Sequence, residues 1–390
     1  MRREKVLFAF GTRPEAIKLA PVIKELEQYP DDFEVFVLVT AQHRVMLDQV
    51  LDFFGIKSDF DLDVMRPGQS LTDVTKRTLV GLEKVLKWVR PDIILVQGDT
   101  TSAFASALAA FYQQIPVGHV EAGLRTSDEY TPYPEEMNRR LISGMADFHF
   151  APTEWARGNL LKEGIPNRKI YVTGNTVIDA LLMSLRSKQP WRVPVLDHLA
   201  DDHRLVLVTA HRRESFGPGL KRICSALATI ARRNPDVEIV YPVHPNPNVR
   251  KPVRAILKGL NRVHLIKPLD YLSFAHLMEK SYLILTDSGG IQEEAPALGK
   301  PVLVLRDKTE RPEAIEAGTA KLVGTDVKRI VATTERLLHS PRTYRKMARE
   351  VNPFGNGKAA RRIVRILKRC SIHRELAGID TDRHLSRLAP

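Results

Sequence analysis

Cysteine is scarce in this sequence: there are two, Cys224 and Cys370, both inside helix-like segments and neither in metal-ligand spacing. That argues against a disulfide framework and against a thiolate zinc site, and it fits a reducing compartment. Long apolar runs are missing as well. The basic start at 1–5 precedes only a short apolar run before Gly11, too brief for a signal-peptide core. No run reaches the roughly 20 residues of a membrane-spanning helix. The expectation is a soluble, cytoplasmic protein with no membrane partner. No Gly-x-Gly-x-x-Gly follows any predicted strand, and Gly-x-x-x-x-Gly-Lys-Ser/Thr is missing too. A nicotinamide cofactor and P-loop hydrolysis are therefore unsupported, and neither cofactor nor metal is expected. Nor is there a stretch interleaving aromatic and basic residues, so a nucleic acid is not the expected partner.

What is present is an ordinary globular composition, 43% hydrophobic and 27% charged, spread over 390 residues. That length is too great for one comfortable core, so two domains are expected. Lys plus Arg number 59 against 46 Asp plus Glu, a net +13, which points to an anionic partner without choosing its kind. Part of that excess, Arg361, Arg362, Arg365, Lys368 and Arg369, punctuates a helical pattern and reads as a solvated helix face.

Short apolar runs alternate with amphipathic helical stretches throughout, the pattern of a parallel sheet covered on both faces. The first half predicts strands at 5–10, 34–39, 92–96, 116–120, 148–151 and 169–172. The second predicts them at 205–209, 238–243, 262–266, 283–286, 301–305 and 320–323. The fold class is α/β with two doubly wound domains, 1–174 and 175–355. A hinge is placed at 174–194, where a helix over 176–187 gives way to prolines. A C-terminal helix over 356–370 is expected to return to the first domain, and 371–390 reads as a polar, poorly packed tail.

In doubly wound sheets ligands sit beyond the carboxyl ends of the strands. Polar groups collect at that location here: Gly11-Thr12-Arg13-Pro14-Glu15, Gln97-Gly98-Asp99 and Glu121-Ala122-Gly123 in the first half. In the second they are His211-Arg212-Arg213-Glu214, His244-Pro245 and Asp287-Ser288-Gly289-Gly290. The last runs into a helix predicted over 291–298, where two glycines would let an anion approach free N–H groups; an N-capping Ser288 with a tight glycine turn is the alternative. Arg13 and Lys18 flank the first helix at the opposite strand exit. Three carboxylates stand out, each with a structural alternative. Asp99 could cap the helix over 100–112, Glu121 could pair with Arg125, and Glu135 could be a first-turn acid. His211 at a strand exit suits a diphosphate.

Long ordered motifs carry these residues: Phe10-Gly-Thr-Arg-Pro-Glu-Ala, Gln97-Gly-Asp-Thr-Thr, Gly118-His-Val-Glu-Ala-Gly-Leu-Arg-Thr, Pro134-Glu-Glu-Met-Asn-Arg, Thr173-Gly-Asn-Thr-Val-Ile-Asp-Ala, His211-Arg-Arg-Glu-Ser-Phe-Gly, Tyr241-Pro-Val-His, Asp287-Ser-Gly-Gly-Ile-Gln-Glu-Glu-Ala-Pro and Lys308-Thr-Glu-Arg-Pro-Glu. With them the chain resembles, over nearly its whole length, the bacterial non-hydrolysing UDP-N-acetylglucosamine 2-epimerases. The resemblance implies two Rossmann-like domains of the GT-B type with the active site in the interdomain cleft. It implies interconversion of UDP-GlcNAc and UDP-ManNAc, with UDP-GlcNAc and UDP as ligands, in the supply of cell-surface polysaccharide precursors. By that similarity Arg13, Lys18, His211, Phe274, Ser288, Gly289, Gly290, Glu294 and Arg311 bind the UDP portion. Asp99, Glu121 and Glu135 carry catalysis, with His211 counted among the catalytic groups at the departing diphosphate. Gln42, His43, Gln69, Glu136, Arg212 and His244 match positions of a second, activating site. A homodimer is the expected assembly. The chain departs from the family at Leu269-Asp270-Tyr271, where members often carry Gln-Glu-Tyr. A hydrolysing epimerase and a GT-B glycosyltransferase are the rival readings.

Overall fold

The buried strands of both sheets are runs of branched and aromatic residues rather than alternating patterns, because helices cover both faces of each sheet. Val6, Leu7, Phe8 and Ala9 are all completely buried, and so are Val206, Leu207 and Val208. The computed structural model describes residues 2–40, 44–66, 68–199, 202–349 and 352–376. The chain divides into two compact units, Met1–Ala180 with Gly357–Pro390, and Leu181–Asn356.

The first unit holds a parallel sheet of β1 (Glu4–Phe10), β2 (Phe33–Val39), β3 (Phe60–Asp61), β4 (Ile93–Gln97), β5 (Val117–Val120), β6 (Phe148–Ala151) and β7 (Ile170–Val172) in the order β3-β2-β1-β4-β5-β6-β7. One side of this sheet packs Leu7, Ala9, Ile94 and Val96 against Leu82, Leu86, Ala103 and Ala107. Six of these strands match the sequence expectation. The edge strand β3 was not expected: at two residues, pairing only Phe60 and Asp61 with Leu38 and Val39, it is too short to show a period.

The second unit holds β8 (Arg204–Thr209), β9 (Val237–Pro242), β10 (Val263–Ile266), β11 (Leu283–Thr286), β12 (Val302–Val304) and β13 (Ala320–Leu322), all parallel, in the order β10-β9-β8-β11-β12-β13. Val206, Val208, Leu283 and Leu285 pack there against Ile223, Leu227 and Val249. Both units are thus doubly wound Rossmann-like sheets, as expected. In each, strand order reverses once, between β1 and β4 and between β8 and β11. The two connections leave such a point in opposite directions, which opens a crevice beyond the strand ends.

The chain leaves the first unit within the helix Thr176–Arg186 and re-enters it with the helix Ala359–Leu376, which packs on the helix Arg13–Leu26. Asp179 accepts from the backbone N–H groups of Ala359 and Ala360 at 3.2 and 3.0 Å, so one carboxylate satisfies two of the orphan donors at that helix start. Arg362 donates to the carbonyl of Thr173 at 2.7 Å. The helix continues to Leu376, into the segment read as a tail, and residues 377–390 lie outside the described ones. Cys224 and Cys370 are free thiols. Among the described residues no helix is long and apolar enough to cross a membrane, and no cluster of three His, Cys, Asp or Glu could hold a metal ion.

Candidate functional site

At the first unit's switch point the chain turns from β1 through Gly11 and Thr12 into a helix that opens on Arg13 and Pro14. Only glycine fits at 11, because a Cβ there would stand 1.9 Å from Thr40 Oγ1. Glu15 folds back beneath this turn. Its carboxylate accepts from the N–H groups of Gly11 and Thr12 at 3.0 and 2.7 Å and from Thr100 Oγ1 at 2.7 Å. Complete burial raises its pKa, with those hydrogen bonds pulling the other way. Glu15 therefore joins the exit of β1 to the exit of β4.

Further along the same helix, Lys18 Nζ stands 2.6 Å from both carboxylate oxygens of Glu121. Glu121 follows β5 with φ at +66°, a left-handed conformation that costs a residue with a Cβ roughly 1–2 kcal/mol. Its oxygens also accept from Gln97 Nε2 at the end of β4, and from Asn175 Nδ2 at 2.9 Å, just past β7. Three strand exits and one helix meet on this single carboxylate. Glu121 does not pair with Arg125, which bonds Glu163 at 2.8 and 2.7 Å instead.

Asp99 does not cap the helix Thr101–Tyr112; Thr100 does, accepting from Ala103 N at 3.0 Å. The Asp99 carboxylate is instead gripped by Arg139, at 3.2 Å from Nε and 2.5 Å from Nη2, while its carbonyl accepts from Asn138 at 2.9 Å. Both partners belong to the helix Glu135–Met145, whose first residue is Glu135. Glu135 is a first-turn acid, as the structural alternative held, yet its Oε2 is buried without a hydrogen-bond partner. Beneath the turn, buried His119 bonds the carbonyl of Gly98 at 2.7 Å through Nε2. Burial drives its pKa down to about 3, so the ring stays neutral and that nitrogen donates. The structure thus places Arg13, Lys18, Asp99 and Glu121 at or just past the first unit's strand exits, with Glu135 opening the helix whose Asn138 and Arg139 hold Asp99.

At the second unit's switch point, β8 leads through Ala210 to His211 and β11 leads to Asp287. Asp287 is fully buried and accepts the N–H groups of His211 and Arg212 at 2.7 and 2.8 Å. The next helix begins at Gly289, not at 291, and after six residues tightens into a 3₁₀ turn at Ala295–Leu298. Ser288 sits at the N-cap position, but its side chain makes no capping bond, so its hydroxyl is not spent on the helix. Arg311 lies against Gly289, its Cζ 3.0 Å from where a Cβ would be. It is set between Glu293 at 2.7 Å and Glu310 at 2.8 Å. Burial pushes Glu310 up, but the guanidiniums of Arg311, Arg306 and Arg212 outweigh it and hold the carboxyl down at about 2. Glu294 accepts from Tyr271 Oη at 2.8 Å, one residue beyond Asp270, which caps the helix Tyr271–Lys280 carrying half-buried Phe274. Leu269-Asp270-Tyr271 therefore starts a helix and braces Glu294. His211, Phe274, Ser288, Gly289, Gly290, Glu294 and Arg311 all belong to this unit.

Of the residues matched to an activating site, Gln69 and Glu136 belong to the first unit and Arg212 and His244 to the second. Gln42 and His43 lie outside the described residues. Gln69 closes a turn by accepting from Arg66 N at 2.9 Å. Glu136 is fully buried and committed internally, to Thr126 N at 3.1 Å, Arg139 at 3.0 Å and Arg140 at 3.3 Å. Arg212 stands 3.6 Å from Glu310, and His244 stacks on His211 with ring centroids 5.4 Å apart. Burial lowers the His244 pKa, and His211 adds to the effect.

Sequence reasoning assigned no role to Glu15, Arg139, Asn175, Asp287 or Glu310. All five lie inside the quoted motifs, and extending the strand-exit rule to β7 would have found Asn175.

A family model described as UDP-N-acetylglucosamine 2-epimerase matches residues 24–368. The UDP-N-acetylglucosamine 2-epimerase of Yersinia pestis is 58% identical over 373 residues, covering 93% of this chain and 98% of the relative. The crystal structure of UDP-GlcNAc 2-epimerase from Neisseria meningitidis bound to UDP-GlcNAc superposes with a TM-score of 0.87 at 52% identity, over 93% of this chain and 99% of that one. The Methanocaldococcus jannaschii UDP-GlcNAc 2-epimerase in complex with UDP-GlcNAc and UDP gives a TM-score of 0.78 at 36% identity, over 93% and 99%. The fold is the GT-B type, two Rossmann-like domains in one chain.

Proposed function

Because the chain belongs to the UDP-N-acetylglucosamine 2-epimerase family, we propose that it interconverts UDP-GlcNAc and UDP-ManNAc without hydrolysis, by elimination and re-addition of UDP. The C2 proton of an N-acetyl sugar has no adjacent carbonyl to acidify it, so direct removal faces a prohibitive barrier. Something must leave first. The C1–O bond breaks with its electron pair going to UDP, the C2 proton passes to a carboxylate, and a 2-acetamidoglucal remains. Return of UDP to C1 and of a proton to the opposite face of C2 gives the epimer, with atoms and electrons balanced and no cofactor consumed.

The observation that carries this reading is the set of three carboxylates in three environments at the first unit's strand exits. Glu121 faces an ammonium and two amides, Asp99 faces a guanidinium, and Glu135 keeps one buried oxygen without a partner. Carboxylates held in such different surroundings are the groups that taking and returning a proton on two faces of one ring requires. Glu135 Oε2, buried without a hydrogen-bond partner, is assigned to accept or return the hydrogen. In the second unit the N–H groups of the Ser288-Gly289-Gly290 turn, Arg311 and His211 supply positive potential for a departing diphosphate. Glu294 and Phe274 are assigned to the nucleoside. Arg13 and Lys18 add cationic groups beside the carboxylates, where charge develops as the bond to UDP breaks. The reading includes a homodimer and a second, activating nucleotide-sugar site using Gln42, His43, Gln69, Glu136, Arg212 and His244.

Proton NMR of UDP-GlcNAc with the enzyme in deuterium oxide tests it. The expected product is UDP-ManNAc deuterated at C2. Free N-acetylmannosamine as the main product would establish the hydrolysing alternative, and an untouched substrate would refute the activity.

A further inference from the structure

One carboxylate holds both turns of the second unit's crevice. Asp287 donates its own N–H to the carbonyl of Thr209 at 3.0 Å, which keeps β11 in register with β8. With Oδ2 it accepts the N–H groups of His211 and Arg212, fixing the path of the chain as it leaves β8. Oδ1 is buried and accepts no hydrogen bond, yet it stands 3.6 Å from Nδ1 of His211. A buried acceptor left without a donor costs about 1–3 kcal/mol. The imidazole is 40% exposed. His244 flanks the ring by stacking, Arg212 is drawn toward Glu310, and the Tyr241 hydroxyl beneath donates to Ala210 O at 2.6 Å. Burial raises the Tyr241 pKa well above its ordinary value, so that group stays neutral. Nothing among these donates to Oδ1. Had the carboxylate only to hold the loop, one neutral oxygen would suffice.

We propose that Asp287 is a positioning residue for His211: it accepts the Nδ1–H and fixes the ring's orientation and tautomer, so that Nε2 is presented to the diphosphate as it departs and returns. The proposal rests on the epimerase reading above. The physical logic is that of any carboxylate behind an imidazole, which sets the ring's orientation and tautomer without itself taking the proton.

Asp287→Asn tests it, since the amide oxygen can still hold the two N–H groups while the NH₂ faces Nδ1. The expected result is a fall in kcat on UDP-GlcNAc of at least about tenfold with KM changed less than about threefold. Alongside it, the neutral His211 ring should switch from Nδ1–H to Nε2–H in nitrogen-15 histidine spectra, with the resonance assigned by its loss in His211→Gln. A kcat within about twofold of wild type, or a fall in kcat without the tautomer change, overturns the proposal. If the variant does not fold, the wild-type spectrum decides alone: a neutral His211 with bare Nδ1 overturns it and Nδ1–H sustains it. Failure of wild-type enzyme to turn over UDP-GlcNAc would instead overturn the functional reading, while the spectrum would still judge the Asp287–His211 pair.

Discussion

Lys18 Nζ stands 2.6 Å from each oxygen of Glu121, a symmetric ion pair between the first helix and the exit of β5, with the carboxylate 4% exposed. The amides of Gln97 and Asn175 fix which way that carboxylate faces. Asn175→Ala removes one of those anchors without removing charge. The expected outcome is a loss of about tenfold in kcat with folding retained, since misplacement of a reacting group is costly. Steady-state kinetics beside a thermal melt check it; unchanged kcat in a folded variant would show that Asn175 does not position Glu121.

Arg139 fixes Asp99 through two nitrogens of one guanidinium, a planar geometry that lysine cannot reproduce. Arg139→Lys keeps the charge and loses the fork. Activity should fall by about tenfold to a hundredfold. Because Arg139 also bonds buried Glu136 at 3.0 Å, some stability should go with it. A variant with wild-type turnover would mean that the orientation of Asp99 is irrelevant to the reaction.

Burial raises the Asp179 pKa from 3.8 to about 6, against the pull of the Ala360 and Ala359 N–H groups. The folded state thus binds this proton more tightly than the unfolded chain does. Its contribution is fully present below the unfolded value and is lost as pH rises through about 6, a difference of about 3 kcal/mol. Urea unfolding of Asp179→Asn should accordingly change less between pH 7.5 and pH 5 than that of wild type. Equal pH dependence in the two proteins would remove Asp179 as its source.

Glu310 shows the opposite sign. Its carboxyl is held at about 2 against an ordinary 4.5, so the stability it lends is present above 4.5 and lost as pH falls through about 2. Glu310→Gln leaves Arg306, Arg311 and Arg212 crowded around a neutral amide and should destabilise the second unit by about 3 kcal/mol at neutral pH. The gap from wild type should narrow as pH falls below 4.5, because the unfolded chain takes up the proton there while the native carboxylate stays ionised until about 2. Denaturant titrations at pH 7 and pH 3 measure both; a constant gap would assign the loss to packing instead.

Much of this was legible before any coordinates. The apolar runs located all but one of the strands, because burial on both faces demands continuous hydrophobicity; β3 escaped because two residues carry no pattern. The polar clusters after β1, β4, β5, β8 and β11 marked the crevices, since the switch-point rule depends only on strand order. Helix starts were less legible. Thr100 rather than Asp99 caps its helix, and Gly289 rather than Ile291 opens the next, because capping is settled by which side chain has something better to bind. Asp99 had Arg139.

By itself, then, the sequence determined the α/β class, the two sheets and the residues standing at their carboxyl ends, all of which follow from periodicity along the chain. It could not determine who bonds whom. Glu121 meets Lys18, Gln97 and Asn175, at separations of 103, 24 and 54 residues, only because parallel strands are joined by long crossovers that bring distant exits side by side. Pairing of charges is decided in space, by burial and by the donors that folding leaves within reach.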